Sequence, residues 1–393
     1  MAGTIIEGQL RARPSSAVRF AQATNEDDPA IRRLLRENPM RGAISVSFER
    51  EPDYFRGTQI AGADDQTILA FAQGRLVCIG RCSVRKRYIN GAIHRVGYLS
   101  DLRLDSAVQG RFDILRRGYQ FFHELKDEHP ADFYFTSITT DNLRSIQFLE
   151  RGLPGMPLYE RLADFVTLLI PVPRQTRKLK ELNKRASFRL KSANIELATG
   201  SDYDPGALAD FLNSHASRFN LAAAWTGEKI SSLRQHNLEL SHYVVLRRDG
   251  KMIGCAALWD QRPFRQIVIR GYNRRISFFR PLLNLSGKFL GSTRLPSVGS
   301  TLAHGFLSPL AVALDDDRGL LSMIEASLLA AANRGMEYVT LGFAAGDPRL
   351  VVVRRHFRCR EYRNRLFSVR WKNDEFAGIK LDNNLVFPEA ALL

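Results

Sequence analysis

The sequence holds only four cysteines in 393 residues, Cys78, Cys82, Cys255 and Cys359. They are too few and too scattered for a disulfide framework or a zinc site. Cys78 and Cys82 stand four apart in a strand-like run, on one face, as buried free thiols do. No stretch approaches the roughly 18 consecutive apolar residues of a membrane helix. The opening MAGTIIEGQLRARPSS lacks a basic-then-apolar signal pattern and reads as a loose tail, so a reducing cytoplasm is the expected setting. There is no G-x-S-x-G elbow, no H-E-x-x-H, no Walker loop and no dinucleotide fingerprint. The histidines (94, 123, 129, 215, 236, 242, 304 and 356) form no close pair at metal-ligand spacing, and no metal is expected.

What the chain does have is positive charge, with 57 Lys and Arg against 41 Asp and Glu. A net charge of +16 attracts polyanions whatever the fold. Residues 174–191, RQTRKLKELNKRASFRLK, oppose a run of basic side chains to Glu181 alone. Between 354 and 372, Arg354, Arg355, Arg358, Arg360, Arg363, Arg365, Arg370 and Lys372 alternate with Phe357, Tyr362, Phe367 and Trp371. Such interleaving can stack and neutralise single-stranded nucleic acid, but more often it marks a solvated strand or helix face, which is the reading favoured here.

The length suits two domains, and the order of elements repeats. After a short strand at Val18 to Ala23, NEDDPAIRRLLREN has a helix cap followed by Ile31, Leu34 and Leu35 at helical spacing. The segment from Gln66 to Leu104 reads as three antiparallel strands, turning at Gln73-Gly74-Arg75 and at Asn90-Gly91. A helix at 111–126 follows, then a strand at 133–139, a helix at 142–152 and a closing strand within 158–170. The second half runs from a helix at 207–219 through a hairpin around Asp249-Gly250, a strand at 304–312, a helix, a strand at 338–344, the helix-like PRLVVVRRHF and a last strand near 365–371. A longer segment, about 261–303, interrupts it. These boundaries predict a first half at 17–171, a basic linker at 172–194 that could form a short connecting helix, a second half at 195–373 and a C-terminal tail at 374–393.

This order, with a glycine-containing loop between the fourth strand and the next helix, resembles the GNAT superfamily of acyl-CoA-dependent N-acetyltransferases. The resemblance implies an α/β protein, a mixed α+β sheet, built as tandem GNAT-like acyl-CoA N-acyltransferase folds. It is best in residues 66–160. There Leu102-Arg103-Leu104 is similar to the strand end whose backbone pairs with pantetheine. Gln109-Gly110-Arg111 is similar to the start of the Q/R-x-x-G-x-G/A pyrophosphate loop, and Asn142 and Ser145 to the N-x-x-A/S helix start. Acetyl-CoA, or another acyl-CoA, is the implied cosubstrate. The loop departs from the motif at Phe112 and Ile114, which stand where small residues are usual, and Asp113 competes with a diphosphate. Phe112 can be accommodated if it turns into the core with Leu115 and Tyr119.

Physics supports the loop independently of the resemblance. Free N–H groups and about half a positive charge from the helix dipole await an anion at a helix start, and Arg111 adds charge. The matching loop of the second half, Ala313 to Gly319, carries Asp315, Asp316 and Asp317, which would cap the helix and repel a diphosphate. The first half is therefore the expected acyl-CoA half, and the second a degenerate partner shaping the acceptor cleft.

Transfer to an amine needs a proton acceptor and, in many cases, an acid for the leaving thiolate. Strand alternation puts Leu99, Asp101 and Arg103 on one face and Tyr98, Ser100, Leu102 and Leu104 on the other. Asp101 is the expected base. The family often has a tyrosine seven residues after the Asn, where this chain has Leu149. Tyr159, or Tyr98, is the expected substitute in space. The expected reaction is acetyl transfer to the primary amine of a small molecule or peptide by direct attack on the thioester. The alternatives are aminoacyl-tRNA-dependent peptide-bond formation, and a non-catalytic GNAT fold that binds nucleic acid or an acidic partner.

Overall fold

The computed structural model describes residues 18–40, 42–62, 64–274, 276–277, 295–371 and 379–393. The predicted N-terminal tail, Lys372, and the first residues of the predicted C-terminal tail lie outside them. The first half contains β1 (Val18–Gln22), α1 (Asp28–Glu37), β2 (Ile44–Glu49), the short α2 (Thr58–Ala61), β3 (Asp64–Ala72), β4 (Arg75–Ile89), β5 (Ala92–Leu104), α3 (Phe112–Leu125), β6 (Phe133–Thr139), α4 (Leu143–Glu150) and β7 (Leu158–Pro171). The basic stretch forms α5 (Thr176–Ser192), a full helix rather than a short one. Then come β8 (Glu196–Thr199), α6 (Pro205–Ala216), α7 (Gly227–Ser232), β9 (Tyr243–Arg248), β10 (Lys251–Trp259), β11 (Gln266–Tyr272), β12 (His304–Val312), α8 (Asp317–Asn333), β13 (Tyr338–Ala344), α9 (Pro348–His356) and β14 (Arg360–Arg370).

Local chemistry explains most of these boundaries. Gln73-Gly74 and Asn90-Gly91 both take positive φ, as tight hairpin turns between right-twisted strands require. Pro29 sits in the first turn of α1, and Ile31, Leu34 and Leu35 form its buried stripe. Asp316 caps α8 by accepting from the Gly319 N–H at 2.8 Å, so the acidic loop of the second half satisfies its own helix start. On α3 the buried residues are Ile114 and Phe122. Phe112 does not turn into the core with Leu115 and Tyr119 as expected. It is 49% exposed and stacks on Phe148, with ring centroids 4.5 Å apart, because α3 begins at Phe112 and rotates that residue outward.

Twelve strands form one sheet in the order β1-β3-β4-β5-β6-β14-β7-β13-β12-β10-β9-β8, and β2 pairs separately with β11. The halves exchange their closing strands. β7 runs antiparallel to β13 from Phe165 to Pro171, whereas β14 inserts between β6 and β7 and pairs with both. This explains why the final strand is longer than its sequence suggests. Arg354 and Arg363 pair with Glu361, Arg365 with Asp164 and Arg370 with Glu160, while Phe367 and Trp371 enter the core. On α5, Arg185 and Arg189 reach the buried Glu325 of α8 at 2.8 and 3.1 Å.

Each half contains one pair of parallel strands that soon part. β5 and β6 pair from Val96–Phe133 to Leu99–Thr136, and β12 and β13 from His304–Tyr338 to Phe306–Thr340. Beyond those points a wedge opens. Chain from 387 to 392 occupies the second wedge. Glu389 accepts from the Ser308 hydroxyl at 2.6 Å and the Trp225 indole at 3.3 Å, and Ala390 packs over Gly342. Residues 379–393, expected as part of a tail, are thus tied to both halves, and the Phe387 amide donates to the Asn220 carbonyl at 2.8 Å.

Candidate active site

The first wedge opens into a cavity of about 580 Å³. On one side of the sheet its wall is apolar, made by Phe20, Ile68, Ala70, Cys78, Leu115 and Phe122 beneath α3. On the other side Arg50, Arg81, Arg103 and Arg265 gather around Asp101, among apolar residues of β2 and β11 such as Val46, Phe48, Ile267 and Ile269. The β2–β11 pair lies over this side, and Gln261, His304, Thr340, Ala390, Leu392 and Leu393 bring the second half into the wall. Burial pushes the Cys78 thiol up to about 12, so it behaves as apolar wall.

Asp101 stands at a β-bulge. Its φ is +53°, and the β4 register slips between Ile79–Arg103 and Arg81–Ser100. One extra residue resets the alternation. Leu99 therefore joins the α3 side with Leu102 and Leu104, whereas Tyr98 packs with Phe135 on the other. The regular two-face alternation expected for 98–104 does not hold across the bulge. A non-glycine residue in the left-handed region carries strain, and such strain collects at functional sites.

Electrostatics here are dominated by arginine. Arg50 donates to both Asp101 oxygens at 3.0 and 3.3 Å, and Arg81 stands 3.9 Å away. Burial alone would raise the Asp101 carboxyl, but Arg50, Arg81, Arg265 and Arg103 hold it below the usual carboxylate range. It stays ionised and is a weak proton acceptor. Arg81 is further paired with Asp65 and donates to the Thr58 carbonyl at 2.9 Å. Arg265 donates to the Ala391 carbonyl at 2.9 Å, to Gln261 Oε1 at 3.3 Å and to the backbone oxygen of Leu393, the last residue of the chain, at 2.5 Å. Burial, followed by Arg50, lowers it to about 9. His304 donates to or accepts from Thr340 Oγ1 at 3.1 Å, and burial lowers it to about 4, leaving a neutral ring.

Of the residues singled out in the sequence, Asp101, Leu102, Arg103, Asn142, Ser145 and Tyr159 line this cavity. Leu104, Gln109, Gly110 and Arg111 lie outside its wall. Asn142 Oδ1 accepts from the Ser145 N–H at 3.2 Å and caps α4. Tyr159 shares a short hydrogen bond with the Tyr119 hydroxyl, and burial holds its phenol well above the ordinary value. Gly110, at φ +90°, has open space around it. The Arg111 guanidinium is bound to Asp113 by two hydrogen bonds of 2.7 Å. Arg50, Arg81, Arg265 and His304 were not anticipated. A signal existed in β4, where Arg81, Ser83, Arg85 and Arg87 recur at every second or fourth position and are all buried.

Comparison of the sequence with models of protein families and with curated proteins gives no match. The architecture does have counterparts. Saccharomyces cerevisiae N-myristoyltransferase with bound myristoyl-CoA superposes with a TM-score of 0.56 at 11% identity, over 91% of this chain and 79% of that one. A GCN5-related N-acetyltransferase from Sphaerobacter thermophilus gives 0.50 at 13% identity, over 89% and 95%. At these identities the likeness is one of fold. The chain is a GNAT-fold protein, with the fold present twice in one mixed α/β sheet.

Proposed function

We propose that the protein is an acyl-CoA-dependent N-acyltransferase whose first half holds the thioester. The observation that carries this reading is the contrast between an open wedge at β5–β6 and a filled one at β12–β13. Beyond Leu99 the β5 edge has no β6 partner, and a pantetheine arm pairs with the backbone edge this leaves open between Leu102 and Leu104. The Gln109-Gly110-Arg111 loop at the start of α3 takes the diphosphate, with Arg111 turning from Asp113 to phosphate. The apolar wall beneath α3 favours an acyl group longer than the acetyl suggested by the sequence.

The amine nitrogen attacks the thioester carbonyl carbon, a C–N bond forms, and the C–S bond breaks with its electron pair leaving on sulfur. No strong base is needed in this reading. An ammonium brought beside Arg50, Arg81, Arg103 and Arg265 loses its proton to water at lower pH than in bulk, because like charges disfavour the charged form. Asp101 serves as the ion-pair centre that positions these guanidiniums. Tyr159, held protonated by burial, is a weak acid, and the leaving thiolate takes its proton from solvent. Arg354 of α9 and Arg363, Arg365 and Arg370 of β14 are paired with Glu361, Asp164 and Glu160, which favours the acyltransferase reading over the nucleic-acid alternative. Calorimetric titration with acetyl-, octanoyl- and palmitoyl-CoA tests the proposal. One site per chain is expected, with affinity rising along the series. No heat with any of them at millimolar concentration would refute it.

A further inference from the structure

Helix α5 carries the basic stretch that the acyltransferase reading leaves without a task. It lies against α8, with Leu182 and Ala186 buried and with Arg185 and Arg189 bound to the buried Glu325, so the direction of its outward face is fixed. Helical spacing brings Lys180, Lys184, Phe188 and Lys191 onto that face as neighbours three or four residues apart, in a straight stripe about 16 Å long. All four are exposed. Phe188, at 73%, is the most exposed large apolar side chain among the described residues. No carboxylate lies within ion-pair distance of the three lysines among the described residues, and the helix's own acid, Glu181, is taken by Arg177 at 3.0 Å. The turn between β9 and β10 extends the patch. Asn194, just past the end of α5, donates to Asp249 at 3.2 Å, and the exposed Lys251 follows two residues on. Glu196 of β8 is held by Arg247 at 3.6 Å.

Stability of the fold does not explain this stripe. Like charges four residues apart, as at Lys180 and Lys184, weaken a helix, and an apolar ring left in water gains nothing from folding. We propose that the outer face of α5 docks on a lipid bilayer bearing anionic headgroups, with the lysines in the headgroup layer and the Phe188 ring inserted at its boundary with the acyl chains. The inference does not depend on the acyltransferase reading, because no residue of α5 lines the cavity. Charge complementarity carries it. Each lysine held within a screening length of a negative surface adds its own attraction, and a ring set among the lysines supplies the apolar burial that turns attraction into interfacial binding. A bilayer is favoured over nucleic acid for two reasons. The unpaired cations of the stripe are all lysines, point charges suited to a diffuse negative potential, whereas arginine forks suit individual phosphates. Single strands are also held by successive stacking rings, and α5 has one aromatic residue.

The test sediments the full chain with vesicles of phosphatidylcholine alone and with vesicles in which about a third of the lipid is phosphatidylserine, at about 0.1 M salt. Binding to the anionic vesicles only is expected, falling steeply as salt is raised. Lys184→Gln should weaken it about fivefold, the share of one lysine near an anionic surface. The triple variant Lys180→Gln, Lys184→Gln, Lys191→Gln should abolish it with the melting temperature unchanged, since these side chains touch only solvent. Phe188→Ser should weaken binding several-fold and keep its salt dependence. In Phe188→Trp, compared with the unchanged chain, fluorescence should shift to the blue on adding anionic vesicles, because the ring leaves water. No binding to anionic vesicles, equal binding to both kinds, or binding that the triple variant retains would overturn the proposal. So would vesicle binding without a blue shift in Phe188→Trp, since no ring would then be inserted. An oligouridylate that binds through the same lysines while vesicles do not would also overturn it, and would give the face to nucleic acid.

Discussion

The two wedges of the sheet share a plan and differ in content. In the first, β5 and β6 part around a cavity whose helix cap, Asn142, is exposed and lines the open space. In the second, β12 and β13 part around protein: Glu389, Ala390 and Phe387 fill the gap, and the corresponding cap, Asp347, is buried against Arg349 at 2.7 Å with both side chains 1% exposed. One copy of the fold opens on a cavity at this point, and the other is filled by its own chain. Symmetry of backbone therefore does not give the two wedges the same interior; what the strand ends touch does.

The contrast can be broken most forcefully at the caps. Replacing Asp347 by Ala leaves Arg349 buried without its partner and should cost about 3–5 kcal/mol, read as a shifted urea midpoint. Asn142→Ala should cost only about 1 kcal/mol of stability, the usual value of a helix cap. Equal costs would mean that the two ends are built alike.

Acid should act through His304, a titratable residue that the second half contributes to the cavity wall. Its folded value lies near 4, below an unfolded value of 6.5. Above pH 6.5 the ring is neutral in both states. Between 6.5 and 4 the unfolded chain takes a proton that the folded one refuses, so stability falls by up to about 3 kcal/mol and then levels off. His304→Gln should remove this part of the slope, measured by denaturation at pH 7 and pH 4.5.

Filling the wedges should separate stability from binding. Gly342 and Ser137 are each the fifth residue of their strands, β13 and β6. A methyl on Gly342 would stand 2.5 Å from the Phe165 ring, so Gly342→Ala should destabilise by about 1–3 kcal/mol and leave acyl-CoA affinity alone. Ser137→Phe enters the cavity and takes a hydrogen-bond partner from the Tyr98 phenol, so it should abolish acyl-CoA binding in calorimetry at a cost of about 1 kcal/mol in stability. The smallest effect is expected at the loop. Asp113→Asn releases Arg111 and removes a competing charge, tightening acyl-CoA a few-fold while stability stays within about 0.5 kcal/mol, as for exposed ion pairs. Unchanged affinity would exclude the loop as the phosphate site.

Much of the fold could be read from local signals. Turns at Gln73-Gly74 and Asn90-Gly91, the stripe of α1 and the doubled order of elements all depend on neighbours within a few residues. The strand exchange does not, because the apolar stretch within β7 packs equally well beside either half until distant chain decides. The bulge at Asp101 was hidden for a similar reason: the alternation of 98–104 looks regular unless the partner strand is known. Phe112 was misplaced because one residue of phase at a helix start moves a side chain through 100°. The site was half legible. Residues that a motif marks, such as Asn142, Ser145 and Arg103, line the cavity, and Arg50 and Arg265, which no motif marks, come from segments that reach it only through the β2–β11 pair and the closing chain.

The exchanged strands have a mechanical consequence. Because β14 lies between β6 and β7, and β7 is held by β13, neither half can be peeled away without unzipping the centre of the sheet. Cutting the peptide between Val172 and Gln175 would leave the two fragments interlocked. Urea should melt the whole molecule in one cooperative step, although it is assembled from two copies of one fold. A half made separately would be left with a raw edge in its middle, and would meet that need most readily by borrowing a strand from another copy of itself.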